Sequence, residues 1–215
     1  MAIMKPMLDI EHLQEVLEVK QYIDEAVAEE EDIQNIKFVE AMDRLEVEKI
    51  EIQKSIFVHC KCLNSFFDHT IFSDVIFEDC DFSNTNFSGC SFVRVTFLNC
   101  KLVGCNFMQA YAYQVYVQAC NLRYSNWASS ALKEIKFLDT MLETSNFESL
   151  ESRKFSFENC SLLSASFFKT SLQGINLSDS QISGMVVGIE DIKGAIVSTM
   201  QALELSKLLG IQIKE

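Results

Sequence analysis

With one proline (Pro6) and seven glycines in 215 residues, the chain has little from which to build flexible linkers or hinged domains. No apolar run approaches the ~18 residues of a membrane span, and Met1–Ile10 lacks the apolar centre of a signal peptide. A cytoplasmic protein with no membrane contact is the expectation. Histidine is scarce too: His12, His59 and His69 are the three present. No glycine-rich phosphate loop, nucleophile motif or metal-ligand spacing occurs. Cys60-Lys-Cys62 has no second pair and no nearby histidine to complete four metal ligands. Catalysis, a metal centre and a cofactor are therefore not expected.

Phenylalanine, by contrast, is plentiful and regularly placed. From Ile52 to Val187 nearly every fifth residue is large and apolar, and thirteen of the 17 phenylalanines fall on this set. Two residues before each stands a small one. Of the 27 such positions from Ser55 to Met185, 22 are Ser, Thr, Cys, Ala or Val. A period of five suits neither a helix, at about 3.6, nor a flat strand, at about 2. It suits a short extended unit with two residues pointing inward, followed by a corner. Only a chain wound upon itself buries one side of every unit, so the pattern predicts an all-β solenoid in which each coil covers the last.

Stacking the sequence in rows of four units sorts residue types into columns, which makes four units the natural length of one coil. Cys60, Cys80, Cys100, Cys120 and Cys160 fall in one column. Phe57, Phe77, Phe97, Phe137 and Phe157 form a second, and Phe67, Phe87, Phe107, Trp127, Phe147 and Phe167 a third on the opposite wall. These rings are the predicted core ladder. Residues 52 to 187 hold 28 units, or seven coils, a rod of roughly 34 Å at the ~4.8 Å strand spacing. Seven of the eight cysteines occupy the small inward position. They are expected to be free, buried and inert, since thiols stacked in parallel do not point at one another.

Units such as Cys80-Asp-Phe-Ser-Asn, Thr85-Asn-Phe-Ser-Gly and Cys105-Asn-Phe-Met-Gln resemble the pentapeptide repeat family, whose members form right-handed quadrilateral β-helices. Within it, the layout is similar to the quinolone-resistance (Qnr-type) proteins and, with no loop interrupting the register, more similar to their loop-free relatives from Gram-positive bacteria. The closing stretch from Met200 to Ile213 resembles their dimer-forming helix and strand. The resemblance implies a homodimer that binds DNA gyrase or topoisomerase IV and protects them from fluoroquinolones, with no direct nucleic-acid partner. A structural or adaptor scaffold that binds another protein is the competing reading.

Three segments are expected: an acidic N-terminal segment and cap (1–50), the repeat β-helix (51–188), and a closing helix and strand (189–215). Residues 8–29, with Leu8, Leu13, Val16, Leu17 and Val27 among many Glu, read as one amphipathic helix. Leu45, Val47 and Ile50 should be the first inward residues. Local bulges are expected near Tyr111–Val117, where Ala112 and Val117 replace larger residues, and near Leu150–Phe155, where a small loop is the alternative. At the other end Ser198-Thr-Met-Gln201 has the form of a capping box, and Gly210 suits a helix stop. Leu203, Leu205, Leu208, Leu209, Ile211 and Ile213 are the candidate dimer surface.

The net charge of −13 is unevenly spread. Residues 1–50 carry 14 acids and five bases, while 51–188 carry 13 and ten. On the solenoid, one outward column holds Glu78, Asp79, Asp139, Glu158 and Asp179 without Lys or Arg. Carboxylates spaced along a rod resemble phosphates spaced along DNA, so these five are the candidate topoisomerase contacts. The preceding face, with Lys54, Arg94, Lys133, Arg153 and Lys154 beside Asp74 and Glu134, leans basic.

Overall fold

The computed structural model describes residues 3–16, 18–39 and 44–211. Its body is a four-sided parallel β-solenoid of about seven turns. Each step up a wall is one coil of four units: Phe57 pairs with Phe77, Phe77 with Phe97, Phe97 with Val117, Val117 with Phe137, and Phe137 with Phe157. The corner is made by the last residue of each unit. From Arg44 to Ser149, and again from Asn159 to Gly174, every one of these residues has positive φ. Left-handed backbone is tolerated best by Gly, Asn and Asp, which accounts for Asn64, Asn84, Gly89, Asn99, Gly104 and Asn159 at corners. On two walls the corner is also a hydrogen-bonded turn, as in Thr85 N–H to Phe82 O at 3.0 Å and Ala110 N–H to Phe107 O at 3.0 Å.

Both inward positions are buried along the rod. Ring stacks run coil to coil: Phe57–Phe77–Phe97 at 4.8 Å per step, and Phe67–Phe87–Phe107–Trp127 at 5.1, 5.2 and 4.0 Å. The column continues through Phe147 to Phe167 at 5.0 Å, and Phe137 stacks on Phe157. All eight cysteines are buried and none is in a disulfide. The preference for Ser, Thr and Cys at the small position has a hydrogen-bonding cause. Their side chains donate to a carbonyl of the coil below, as Thr85 does to Cys62 O at 2.7 Å, Ser130 to Phe107 O at 2.6 Å and Cys90 to Phe67 O at 3.1 Å. A second ladder lies outside: Asn86, Asn106, Asn126 and Asn146 bond amide to amide at 3.0–3.2 Å. Each also accepts the N–H two residues on. These asparagines hold coils and corners together.

The N-terminal end differs from the single helix expected over 8–29. The helix α1 is Val19–Glu29; before it come a 3-10 turn, Ile10–His12, and a strand, Gln14–Val16. That strand pairs in parallel with Ile36–Phe38, and a ladder partner outweighs the weak helix preference of an isolated turn. Leu17 lies outside the described residues. Helix α1 buries Val19 and Ile23 and lays Tyr22 on Phe38 at 6.5 Å, closing the first coil. At this end the coil is shorter by a single residue, with Phe38 opposite Phe57. Leu45, Val47 and Ile50 point into the core.

Of the two stretches with unusual large-position occupants, Tyr111–Val117 keeps a regular register, whereas Leu150–Phe155 carries the expected irregularity. Tyr111–Gln118, Ala131–Leu138 and Glu151–Glu158 form unbroken eight-residue strands with no displaced loop. Register irregularity is confined to Leu132–Ile135 against Ser152–Phe155. At the top the ladder runs on to Asn176 opposite Ile196. Helix α2, Thr199–Leu205, then starts from a complete capping box between Ser198 and Gln201. The Gln201 amide donates to the Leu177 and Ser180 carbonyls at 2.8 and 2.7 Å, and Glu204 accepts from Ser183 Oγ and Gly184 N–H. The helix is thus fastened across the last coil.

Candidate functional site

A solenoid filled with rings leaves its chemistry to the outer surface, and the corners decide which side chains stand there. One corner column reads His59, Asp79, Asn99, Ala119, Asp139, Asn159 and Asp179. Asp79 and Asp139 are left-handed corner residues, so part of the reason for aspartate there is conformational. Three coil steps separate Asp79 from Asp139 and two separate Asp139 from Asp179, or ~24 Å along the rod at ~4.8 Å per coil. His59 Nδ1 lies 3.8 Å from Asp79, and the Asn159 amide donates to Asp139 Oδ1 at 2.7 Å. Asp139, Asn159 and Asp179 line a shallow polar cleft of about 180 Å³. Glu78 stands beside Asp79 on the same wall. Glu158 is compensated: Lys136 Nζ sits 2.7 Å from its carboxylate.

The face expected to lean basic is an ion-pair ladder. Arg94 holds Asp74 through two hydrogen bonds, at 2.7 and 2.6 Å, and Lys154 pairs with Glu134 at 3.3 Å. Gln114 donates to the same Glu134. The side chain of Arg153 lies outside the described residues. Burial pushes the Asp74 carboxyl up, but the hydrogen bonds from Arg94 and the Met7 N–H, with the charges of Arg94 and Lys54, outweigh it. The net effect holds it below its ordinary 3.8. Pairing quiets the field locally around Asp74 and Glu134, while composition, five bases and two acids on this face against five acids on the other, sets the difference in net charge. The signal was present in the sequence, since Arg94 and Lys154 each stand one coil above their partner at the same corner.

The C-terminal end carries the other candidate surface. Leu203, Leu208, Leu209 and Ile211 are exposed there, together with Ile189, Ile196 and Met200; Met200 is 75% and Leu209 61% accessible. Leu205 turns instead toward the molecule's own core. Ile213 lies outside the described residues. The histidines do not converge: His12 sits 2.8 Å from Asp9, His69 2.8 Å from Asp68, and His59 beside Asp79. Among the described residues no group of three His, Cys, Asp or Glu is placed to hold a metal ion, and no helix is long and apolar enough to cross a membrane.

Sequence reasoning missed the N-terminal strap. Residues 3–10 run along the outside of the rod, with the Met4 N–H on Gln114 Oε1 at 2.7 Å and the Met7 N–H on Asp74 Oδ1 at 2.8 Å. These residues have no repeat and no periodicity, so nothing in them announced the contact.

Among solved structures the chain is similar to two trypsin-treated forms of QnrB1, a plasmid-mediated fluoroquinolone resistance protein. One matches at TM-score 0.52 and 19% identity over 86% of this chain and 92% of that one. The other matches at TM-score 0.50 and 16% identity over 82% of this chain and 100% of that one. At these identities the likeness is one of fold. No curated protein sequence matches. Residues 50–127, 70–147 and 90–167 match the family model of the pentapeptide repeat region. Together they cover 50–167, more than half of the chain, and the chain belongs to the pentapeptide repeat family.

Proposed function

We propose that this repeat scaffold binds type II topoisomerases, DNA gyrase or topoisomerase IV, and protects them from fluoroquinolones by occupying a DNA-handling surface. The observation that supports this most is the corner column with Asp79, Asp139 and Asp179 on one edge of a rigid rod and no Lys or Arg among them. Glu78 and Glu158 flank it, Glu158 as the weaker contributor because Lys136 already pairs with it. Two such rods joined through the apolar C-terminal ends would double the length of the acidic edge. The reading requires no chemistry on the drug. Its competitor is an adaptor that offers the same flat faces to another protein.

The test is gyrase supercoiling in the presence of ciprofloxacin, with and without the purified protein. Rescue at micromolar protein is expected, and the triple change Asp79→Lys, Asp139→Lys, Asp179→Lys should abolish it while the circular dichroism spectrum stays the same. Absence of rescue by the wild type favours the adaptor. Rescue that survives the triple change removes the acidic edge from the mechanism.

A further inference from the structure

The strap formed by residues 3–10 does not seal against the wall it crosses. Between the two lies a partly open cavity of about 640 Å³, within the ~300–1,000 Å³ of small-molecule sites. Its floor carries Ile76 and Leu98 and its cover Ile3, Leu8 and Ile10. Against this apolar lining stand three polar side chains, Thr96, Tyr116 and Gln118, none of which has a hydrogen-bond partner among the described residues. Thr96 is only 8% exposed and lines this cavity, where its hydroxyl is available to the polar end of a ligand.

Charge adds a second, independent constraint. Two ammonium groups line the cavity, Lys5 and Lys136. Lys136 is matched by Glu158 at 2.7 Å, whereas Lys5 has no ion pair among the described residues. The cavity thus holds about one uncompensated positive charge in a chain of net charge −13. An apolar slot with hydroxyl donors and one excess positive charge complements a molecule with an aliphatic body and a single negative end.

We propose that this cavity binds an amphipathic monocarboxylate such as a medium-chain fatty acid. Its tail lies along Ile76 and Leu98, and its carboxylate is met by Lys5 and the Thr96 and Tyr116 hydroxyls. The site shares a wall with Glu78 and Glu158, but its test involves no topoisomerase. The experiment is fluorescence titration of the full-length protein with dansyl-labelled undecanoic acid. Saturable one-to-one binding is expected, displaced by dodecanoate and not by dodecyltrimethylammonium. Lys5→Glu, on the surface strap, should weaken binding by about tenfold or more, and Leu98→Trp, which fills the floor, should do the same. Phe168→Ala, on an exposed ring outside the cavity, should leave it unchanged. Any one of four results overturns the proposal: no saturable binding, equal displacement by both amphiphiles, undiminished binding by Lys5→Glu, or loss of binding with Phe168→Ala.

Discussion

Replacing Phe87 by alanine probes the inward ring column most directly. The ring is fully buried. It is stacked between Phe67 and Phe107 at 5.1 and 5.2 Å, and lies edge-on to Phe72 and Phe92 at 6.1 and 5.8 Å. Full burial of such a side chain contributes about 1.5–3 kcal/mol, and each stacked pair adds roughly 0.5–1.5 kcal/mol beyond area. The ladder above and below holds neighbouring coils at strand spacing, so they cannot close over the hole. The expected loss is therefore about 3–5 kcal/mol, the usual range for a ring truncated in a packed interior. Urea unfolding followed by circular dichroism and by fluorescence of the single tryptophan reads it out, since Trp127 lies two coils up the same column. At an m-value of about 3 kcal/mol/M the midpoint should fall by about 1–1.7 M. Phe168→Ala, whose ring is exposed on the same wall, should move it by no more than about 0.2 M, from a cost of ~0.5 kcal/mol. A Phe87→Ala shift no larger than that of Phe168→Ala would refute the inward column.

Asp74→Asn should reduce stability at neutral pH, because Arg94 then faces a neutral partner in a nearly enclosed site. A carboxyl whose folded pKa is depressed stabilises the fold above its unfolded pKa and stops doing so as pH falls through the folded value. The margin between wild type and Asp74→Asn in urea midpoint should thus be present at pH 7, start to shrink as pH approaches the ordinary carboxyl value of 3.8, and vanish only below the depressed folded value. Thiol titration with Ellman's reagent at pH 8 should find the native protein unreactive and eight thiols after unfolding, since all eight are buried. Burial also pushes the Cys90 thiol up to about 12 and the Cys160 thiol up to about 11; rapid modification of the native state would contradict this. If the exposed C-terminal leucines join two copies, Leu209→Glu should convert a sedimenting dimer to a monomer while the melting profile of the solenoid persists.

How much of this was legible beforehand follows from where the information resides. The coil is written locally, in the alternation of small and large inward residues, and the Phe67-to-Phe167 column can be drawn by counting in twenties. The helix α1 was overextended because Leu13 and Val16 suit an amphipathic helix as well as a strand. What decides between the two is the partner at Ile36–Phe38, which the chain reaches only after completing the helix and returning. The candidate acidic edge was legible as composition but not as net field. Lys136 neutralises Glu158 from the neighbouring coil, and a column read one position at a time does not register a partner two positions over. Leu205 was grouped with its exposed neighbours because a short helix gives too few turns to tell which side meets the core.

The four-cornered winding also constrains how such a chain can change length. Adding four repeat units inserts one storey and leaves every side chain above facing the same compass point. Adding one unit swings everything above by a quarter turn. Such an insertion between Asp79 and Asp139 would carry Asp139 and Asp179 round to the adjacent side and turn the C-terminal end with them. In a protein of this shape, indel length therefore acts as a rotation angle, and surface geometry can be re-aimed without altering a single residue.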